Sequence, residues 1–125
     1  MKTEQKKDRL ERQILFYFDF LVTGFSFTYR KKSYPDYMGF PGPICVYSFY
    51  NDNGCLSFHY IAQKDELGLY TADQYSENQC HLLQREVSTS KLCGKVFTKK
   101  QLFSEIAKLL RKEAEANRTV LGIKI

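Results

Sequence analysis

The sequence predicts an α+β fold, in which one helix precedes a mostly antiparallel sheet of four to six strands and a second helix comes before the C-terminal strand. Three patterns support this prediction: a β-hairpin signature in the middle of the chain and an amphipathic helical pattern towards each end. Both helices are expected on one face of the sheet. Because 125 residues is an ordinary length for one domain, residues 1–125 are expected to form a single α+β domain.

The N-terminal helix is predicted from Thr3 to about Val22, because apolar residues recur there with the spacing that places them on one helical face. Gly24 is expected to end this helix. From Phe25 to Arg30 apolar and polar residues alternate, which is the pattern of a strand with one buried face. The predicted buried stripe of the helix consists of Leu10, Ile14, Tyr17, Phe18 and Leu21.

A segment rich in proline and glycine runs from Ser33 to Pro43 and holds all three prolines of the chain. This composition predicts a loop. The loop also carries large apolar side chains, so it either folds back over the sheet or presents an apolar surface to a partner. These side chains are Tyr34, Tyr37, Met38 and Phe40.

The hairpin is predicted from two runs rich in aromatic residues that meet at Asn53-Gly54. Asn-Gly favours a type I′ turn, because both residues tolerate positive φ. This turn places Asp52 opposite Cys55, with an aromatic face on one side of the ribbon and a mixed face on the other. The aromatic face then pairs Phe49 with Phe58, Tyr47 with Tyr60 and Cys45 with Ala62, and the mixed face pairs Tyr50 with Ser57, Ser48 with His59 and Val46 with Ile61. Shorter strands are predicted at 67–70 and 81–87.

The second helix is predicted to begin at Thr98, which is a good N-cap, with Gln101 as its reciprocal capping-box partner. Asn117 is the expected left-handed terminator. Residues 119–125 are expected to form a strand that pairs within the main sheet. The predicted buried stripe of this helix is Leu102, Phe103, Ile106, Leu109 and Leu110, and its predicted solvated face is Lys108, Arg111, Lys112, Glu113 and Glu115.

Composition excludes several classes of protein. Hydrophobic residues make up 43% of the chain and aromatic residues 15%, which is too apolar for a disordered chain. No apolar run approaches the roughly 20 residues of a membrane helix, and the charged N-terminal stretch does not match a signal peptide, so a cytoplasmic protein without a membrane partner is expected. The four cysteines lack zinc-site spacing and are interpreted as reduced thiols, although a disulfide between Cys80 and Cys93 stays open. No metal or cofactor is expected.

Protein recognition is the leading functional hypothesis. Tyrosine, methionine and phenylalanine are enriched where proteins bind one another, and proline limits the entropy that a loop loses on docking. The partner is not identified, and a homodimer is one possibility. The predicted partner-binding residues are Tyr34, Tyr37, Met38, Phe40, Tyr70 and Tyr75.

Two alternatives belong to other classes. The net charge is +5, and the basic run beside Tyr29 (Arg30, Lys31 and Lys32) predicts a single-stranded nucleic-acid platform, in which bases stack on the ring and phosphates meet the cations. A small enzyme would instead use His59 as a proton shuttle, with Cys55 or Asp65 as its neighbour.

A general resemblance to a known family rests on the Tyr- and Phe-rich hairpin 46–60, which is followed by Gln63-Lys-Asp-Glu66. A compact α+β chain of this kind resembles the small immunity proteins that neutralise bacterial polymorphic toxins. The resemblance implies an inhibitor that binds a toxin domain and has no catalysis of its own. Immunity proteins that oppose nucleases are commonly acidic, so this basic chain implies an acidic or neutral target surface.

Overall fold

The computed structural model of the protein describes residues 2–34, 44–61, 66–76, 84–87 and 99–125. Its contacts divide the chain into two compact units. The sheet unit is residues 28–87, and the helical unit combines residues 1–27 with residues 88–125. Helices and an antiparallel sheet together make an α+β fold, as the sequence predicts. That both helices lie on one face of the sheet, and that the chain is one domain, stay predictions.

In the described residues the sheet unit contains five antiparallel strands, in the order in which they occur along the chain. Each strand pairs with the next, so the sheet is a simple meander with the first and fifth strands at its edges. The first strand begins later than predicted and includes Tyr34, which the sequence pattern had assigned to the loop. The strands are β1 (Thr28–Tyr34), β2 (Ile44–Asn51), β3 (Gly54–Ile61), β4 (Glu66–Ala72) and β5 (Gln84–Val87).

The hairpin of β2 and β3 is confirmed, but the predicted turn and register are wrong. The turn residues are Asp52 and Asn53, with Asn51 opposite Gly54. The described residues with positive φ all lie outside this hairpin, so Asp52 and Asn53 do not form a type I′ turn. The Asn51 side chain instead accepts a hydrogen bond of 2.8 Å from the backbone N–H of Asn53, and this local bond stabilises a turn one residue earlier.

The change of register moves every cross-strand pair but leaves each side chain on its predicted face. Phe49 lies opposite Leu56 instead of Phe58, and Tyr47 lies opposite Phe58 instead of Tyr60. Moving the turn by one residue shifts the partner of each residue by two positions. Because side chains along a strand alternate between the two faces, a shift of two keeps every side chain on the same face. The aromatic face comprises Tyr29, Cys45, Tyr47, Phe49, Leu56, Phe58, Tyr60 and Leu69, and the mixed face comprises Arg30, Lys32, Tyr34, Val46, Ser48, Tyr50, Cys55, Ser57, His59 and Tyr70.

The described part of the helical unit contains two long helices and a short C-terminal hairpin. The helices meet through aromatic side chains: the ring of Phe103 lies edge-on to Phe18 at 6.2 Å between centroids and is stacked on Tyr17 at 6.4 Å. Phe18 and Phe103 are fully buried, as the helical spacing predicts. The elements are α1 (Lys2–Phe25), α2 (Lys99–Asn117), β6 (Thr119–Val120) and β7 (Ile123–Lys124).

The left-handed residue that follows each helix lies one or two positions beyond the predicted terminator. Ser26 and Arg118 adopt the left-handed conformation, with φ of 61° and 57°, whereas Gly24 and Asn117 are still helical. The backbone N–H of Arg118 donates to the carbonyl of Ala114 at 3.1 Å, which closes the last turn of α2. The predicted N-cap, Thr98, lies outside the described residues.

The C-terminal residues do not form the predicted strand of the main sheet. Strands β6 and β7 pair only with each other in the described part of the chain, across a turn at Leu121 and Gly122, both of which have positive φ. The carboxylate of Glu113 accepts hydrogen bonds from the Thr119 hydroxyl at 2.6 Å and from the backbone N–H groups of Leu121 and Gly122 at 3.0 Å each. Glu113, predicted to be merely solvated, therefore attaches α2 to the hairpin.

Candidate functional site

The mixed face of the sheet brings together several of the residues that the sequence singled out. Tyr34 and Tyr70 project from β1 and β4 onto this face. The segment after β4 turns back over it, because the ring of Tyr75 is stacked on that of Tyr50 at 4.0 Å between centroids and 7° between planes. Three of the six predicted partner-binding residues thus share one surface. The other three, Tyr37, Met38 and Phe40, lie outside the described residues.

A shallow depression lies on the mixed face between β1 and the segment 74–76. Its floor is made of Ser48 and Ser57, which are directly opposite each other in the register and share a hydrogen bond of 3.1 Å. Both serines are buried. Its remaining described lining residues are Arg30, Lys32, Tyr34, Val46, Cys55, Gln74, Tyr75 and Ser76.

Cys55 extends the polar floor, since its Sγ lies 3.4 Å from the Ser57 hydroxyl. Burial raises the pKa of this thiol, and the hydrogen bonds with Ser57 and Ser48 only partly oppose that effect. A thiol of raised pKa is a poor nucleophile at neutral pH. Cys45 is also buried and free, on the aromatic face, so the interpretation of these two cysteines as reduced thiols is confirmed. Cys80 and Cys93 lie outside the described residues.

The basic run of β1 is divided between the two faces of the sheet. Arg30 and Lys32 lie on the mixed face and line the depression. Lys31 lies on the opposite face, as does Tyr29, whose ring packs on Phe49 at 5.1 Å. The platform predicted from Tyr29, Arg30, Lys31 and Lys32 therefore does not form as one surface, because neighbouring residues of a strand project to opposite sides.

The cations on the mixed face contact tyrosine side chains. Nε of Arg30 donates to the Tyr50 hydroxyl at 3.5 Å. Nζ of Lys32 lies 5.6 Å from the centre of the Tyr34 ring, within the range of a cation–π contact. Both cations are among the residues that line the depression.

Farther along the mixed face, His59 lies beneath Tyr70. The two ring centres are 4.2 Å apart. Gly68 is directly opposite His59 in the register, and a Cβ at this position would lie only 2.8 Å from Cε2 of Tyr70. The absence of a side chain at Gly68 thus gives the tyrosine ring the space to cover the histidine.

The environment of His59 keeps its imidazole neutral. Burial lowers its pKa from the ordinary 6.5 to about 4. Cys55, one proposed catalytic neighbour, precedes His59 by four residues on the same strand, which separates their Cα atoms by about 13 Å. This distance is far beyond hydrogen-bond reach, so the two do not form a catalytic pair. Asp65, the other proposed neighbour, lies outside the described residues.

The charge on the mixed face changes sign across the sheet. Arg30 and Lys32 are on the edge strand β1, whereas Glu66 and Glu86 are on β4 and β5. The charges of Glu86 and Glu66 contribute, after burial, to raising the pKa of the Tyr70 hydroxyl. A docked surface would therefore meet positive charge at one side of the face and negative charge at the other.

Sequence reasoning did not identify the floor of the depression or the role of Tyr50. The alternation along β2 was a usable signal, since it places Val46, Ser48 and Tyr50 on one side. The segment 74–76, which folds back over this face, carried no such signal. The part of the chain that the structure describes contains no group of three or more metal-ligating side chains and no helix long and apolar enough to span a membrane.

Comparison of the chain with protein-family models, with curated proteins and with solved structures finds no match. Function is therefore inferred from the site itself.

Proposed function

We propose that the protein is a non-catalytic binding module of the immunity or inhibitor type, which binds a partner protein through the mixed face of its sheet. The observation that carries this proposal is the convergence of Tyr34, Tyr70 and Tyr75 on one surface, together with Tyr50. Each of these side chains is only half-buried, so each has area left to bury against a partner.

Two physical features support this function. Tyrosine contributes a large contact area while it has few rotatable bonds, so binding loses little side-chain entropy. The Tyr50–Tyr75 stack holds two of the rings in place before any partner arrives. The change of charge sign from Arg30 to Glu86 would also favour one orientation of a partner over the reverse.

The test uses paired variants in affinity capture from nuclease-treated lysate at moderate salt, read by mass spectrometry. Tyr34→Ala with Tyr75→Ala removes contact area and leaves Tyr70 over His59. Phe16→Ala is the control, because Phe16 is 78% exposed on α1, outside the sheet unit. A stoichiometric partner is expected with the wild type and with Phe16→Ala, and binding at least about 100-fold weaker with the double variant.

Capture of the same partner by the double variant at unchanged affinity would refute the assignment of this face. The loop prediction has a separate test: Tyr37→Ala with Phe40→Ala is expected to abolish the complex and leave the melting temperature nearly unchanged. A large fall in melting temperature would instead show that the loop covers the core.

Single-stranded nucleic-acid binding is the second candidate, favoured by the position of Arg30 and Lys32 beside Tyr34 and Tyr75. Bases would stack on the rings and phosphates would meet the cations. Affinity for a labelled oligothymidylate, measured by fluorescence anisotropy, should then fall steeply between 50 and 200 mM salt, as expected when phosphate contacts release counterions. Affinity that does not change over this range removes this candidate.

A further inference from the structure

We propose that the protein forms a homodimer in which α1 pairs antiparallel with α1 of a second copy of the chain. The contact lies in the helical unit, whereas the proposed partner-binding surface lies in the sheet unit, so neither depends on the other. Three features of one stripe of α1 support the pairing: the spacing of its residues, an apolar side chain in its middle and the order of its charges. All five side chains of this α1 stripe are exposed, and they are Arg9, Arg12, Phe16, Asp19 and Thr23.

The spacing of the α1 stripe suits a pair of helices. Its residues follow one another at alternating intervals of three and four positions, which is the a/d pattern of a two-stranded coiled coil. The first, third and fifth residues of the stripe take the a positions, and the second and fourth take the d positions. The buried residues of α1 are different ones, namely Leu10, Ile14, Phe18 and Leu21. Pairing through the α1 stripe would therefore leave the contacts between α1 and α2 in place.

An aromatic side chain in the middle of the α1 stripe supplies the apolar contact. Phe16 is 78% exposed, and it is the only exposed large hydrophobic residue in the part of the chain that the structure describes. Its ring lies edge-on to that of Tyr17, at 5.0 Å between centroids, so it is held in place before pairing. Half-buried apolar side chains flank the stripe and would widen the contact, and these are Leu15, Phe20 and Val22.

The order of the charges selects an antiparallel partner. In a parallel pair each residue of the stripe faces its own copy, so Arg9 would meet Arg9 and Asp19 would meet Asp19. In an antiparallel pair a positions face d positions, and Arg9 can then lie opposite Asp19 of the second copy. Because the two helices run in opposite directions, the same alignment forms this ion pair twice. Opposite charges therefore meet in the antiparallel pair, whereas like charges meet in the parallel one.

The same alignment sets the aromatic ring against a cation. Three positions inward along each helix, Arg12 faces Phe16 of the second copy. The helical unit already contains a contact of this kind, since Cζ of Arg111 lies 4.4 Å from the centre of the Phe20 ring. A guanidinium covers a ring with its face and forms hydrogen bonds with its edge, so Arg12 can keep the bonds that it makes within its own chain. One alignment thus suits both the charges and the ring, and the two-fold symmetry repeats each contact.

The experiment is sedimentation equilibrium of the full chain at concentrations from about 10 µM to about 1 mM. A reversible equilibrium between monomer and dimer is expected, with a dissociation constant on the order of 100 µM because the contact is small. Phe16→Ala should weaken the dimer at least about tenfold. Lys31→Glu reverses an exposed charge in the sheet unit and should leave the dimer unchanged. Circular dichroism checks that each variant folds.

Two charge reversals test the alignment itself. Arg9→Asp and Asp19→Arg each set like charges opposite each other in the homodimer, so each variant alone should associate about tenfold more weakly than the wild type. A mixture of the two variants restores both pairs of opposite charges across the contact. The mixture should therefore associate more tightly than either variant alone.

The possible results separate the occupants of the α1 stripe. A chain that stays monomeric up to about 1 mM would overturn the proposal, as would a dimer that Phe16→Ala leaves intact or a mixture that associates no more tightly than its components. Binding of the monomer to vesicles that contain phosphatidylserine, if Phe16→Ala abolishes it, would assign the stripe to a membrane and equally overturn the proposal. Capture of a partner protein through the mixed face is expected to survive Phe16→Ala, so failure of the dimer and failure of the proposed function are distinguishable.

Discussion

Mild acid is expected to destabilise the sheet through His59. Burial lowers the pKa of this histidine to about 4 in the folded protein, against an ordinary 6.5 in the unfolded chain. Between these two values the unfolded state binds the proton and the folded state does not. Stability is therefore full above pH 6.5 and falls as the pH is lowered towards 4, below which this contribution no longer changes.

The loss of stability follows from the same two pKa values. Their difference corresponds to about 3 kcal/mol of unfolding free energy when the pH falls from above 6.5 to below 4. Between pH 7 and pH 5 the linkage relation gives a loss of about 2 kcal/mol. This interval suits the measurement, because most carboxylates stay ionised throughout it.

The assay is urea unfolding monitored by tyrosine fluorescence or circular dichroism at several pH values from 7 to 5. The chain has only one other histidine, so His81→Asn is a matched control that should keep the full pH dependence. His59→Phe should remove most of it, whatever its effect on stability at pH 7. An unchanged slope in His59→Phe, or its loss in His81→Asn, would refute the reasoning.

Three further predictions concern single residues of the sheet and of α2. Gly68→Ala should cost about 1–2 kcal/mol in urea unfolding, because the added methyl displaces the ring of Tyr70; stability equal to the wild type contradicts this. Glu113→Ala should cost about 2 kcal/mol and speed amide exchange in the C-terminal hairpin, whereas Lys112→Ala should change little; equal effects would argue against the three-bond role of the carboxylate. Cys55 should resist iodoacetamide at neutral pH in the folded protein and react in urea, as peptide mapping would reveal; rapid labelling of the native chain would contradict its burial and raised pKa.

Periodicity predicted the elements better than their ends. The stripe of α1 and the strands β2 and β3 are as the sequence indicates, because alternation and helical spacing are repeated over many residues. Terminators depend on one residue each, and there the prediction was wrong. Gly24 and Asn117 have the right propensity, yet Ser26 and Arg118 take the left-handed conformation. The conformational cost of placing one non-glycine residue in the left-handed region is easily outweighed by packing elsewhere in the helix.

The hairpin shows the same limit at a turn. Asn53-Gly54 has the strongest local preference for a type I′ turn, but the side chain of Asn51 stabilises a turn one residue earlier. A two-residue turn can form at either place and leave every side chain on its proper face, so face burial does not choose between them. The direct pairs, such as Tyr47 with Phe58, were therefore beyond prediction from the pattern.

The sequence by itself determined the α+β class, the central hairpin and which side chains share a face, because these follow from the period of the hydrophobic pattern. Only the tertiary structure decided what meets on the mixed face. The stack of Tyr75 on Tyr50 and the cover of Tyr70 over His59 join separate parts of the chain. Glu113 likewise binds the C-terminal turn across a bend in the backbone. Such contacts depend on the path that the connecting loops take, and no repeating pattern in the sequence encodes that path.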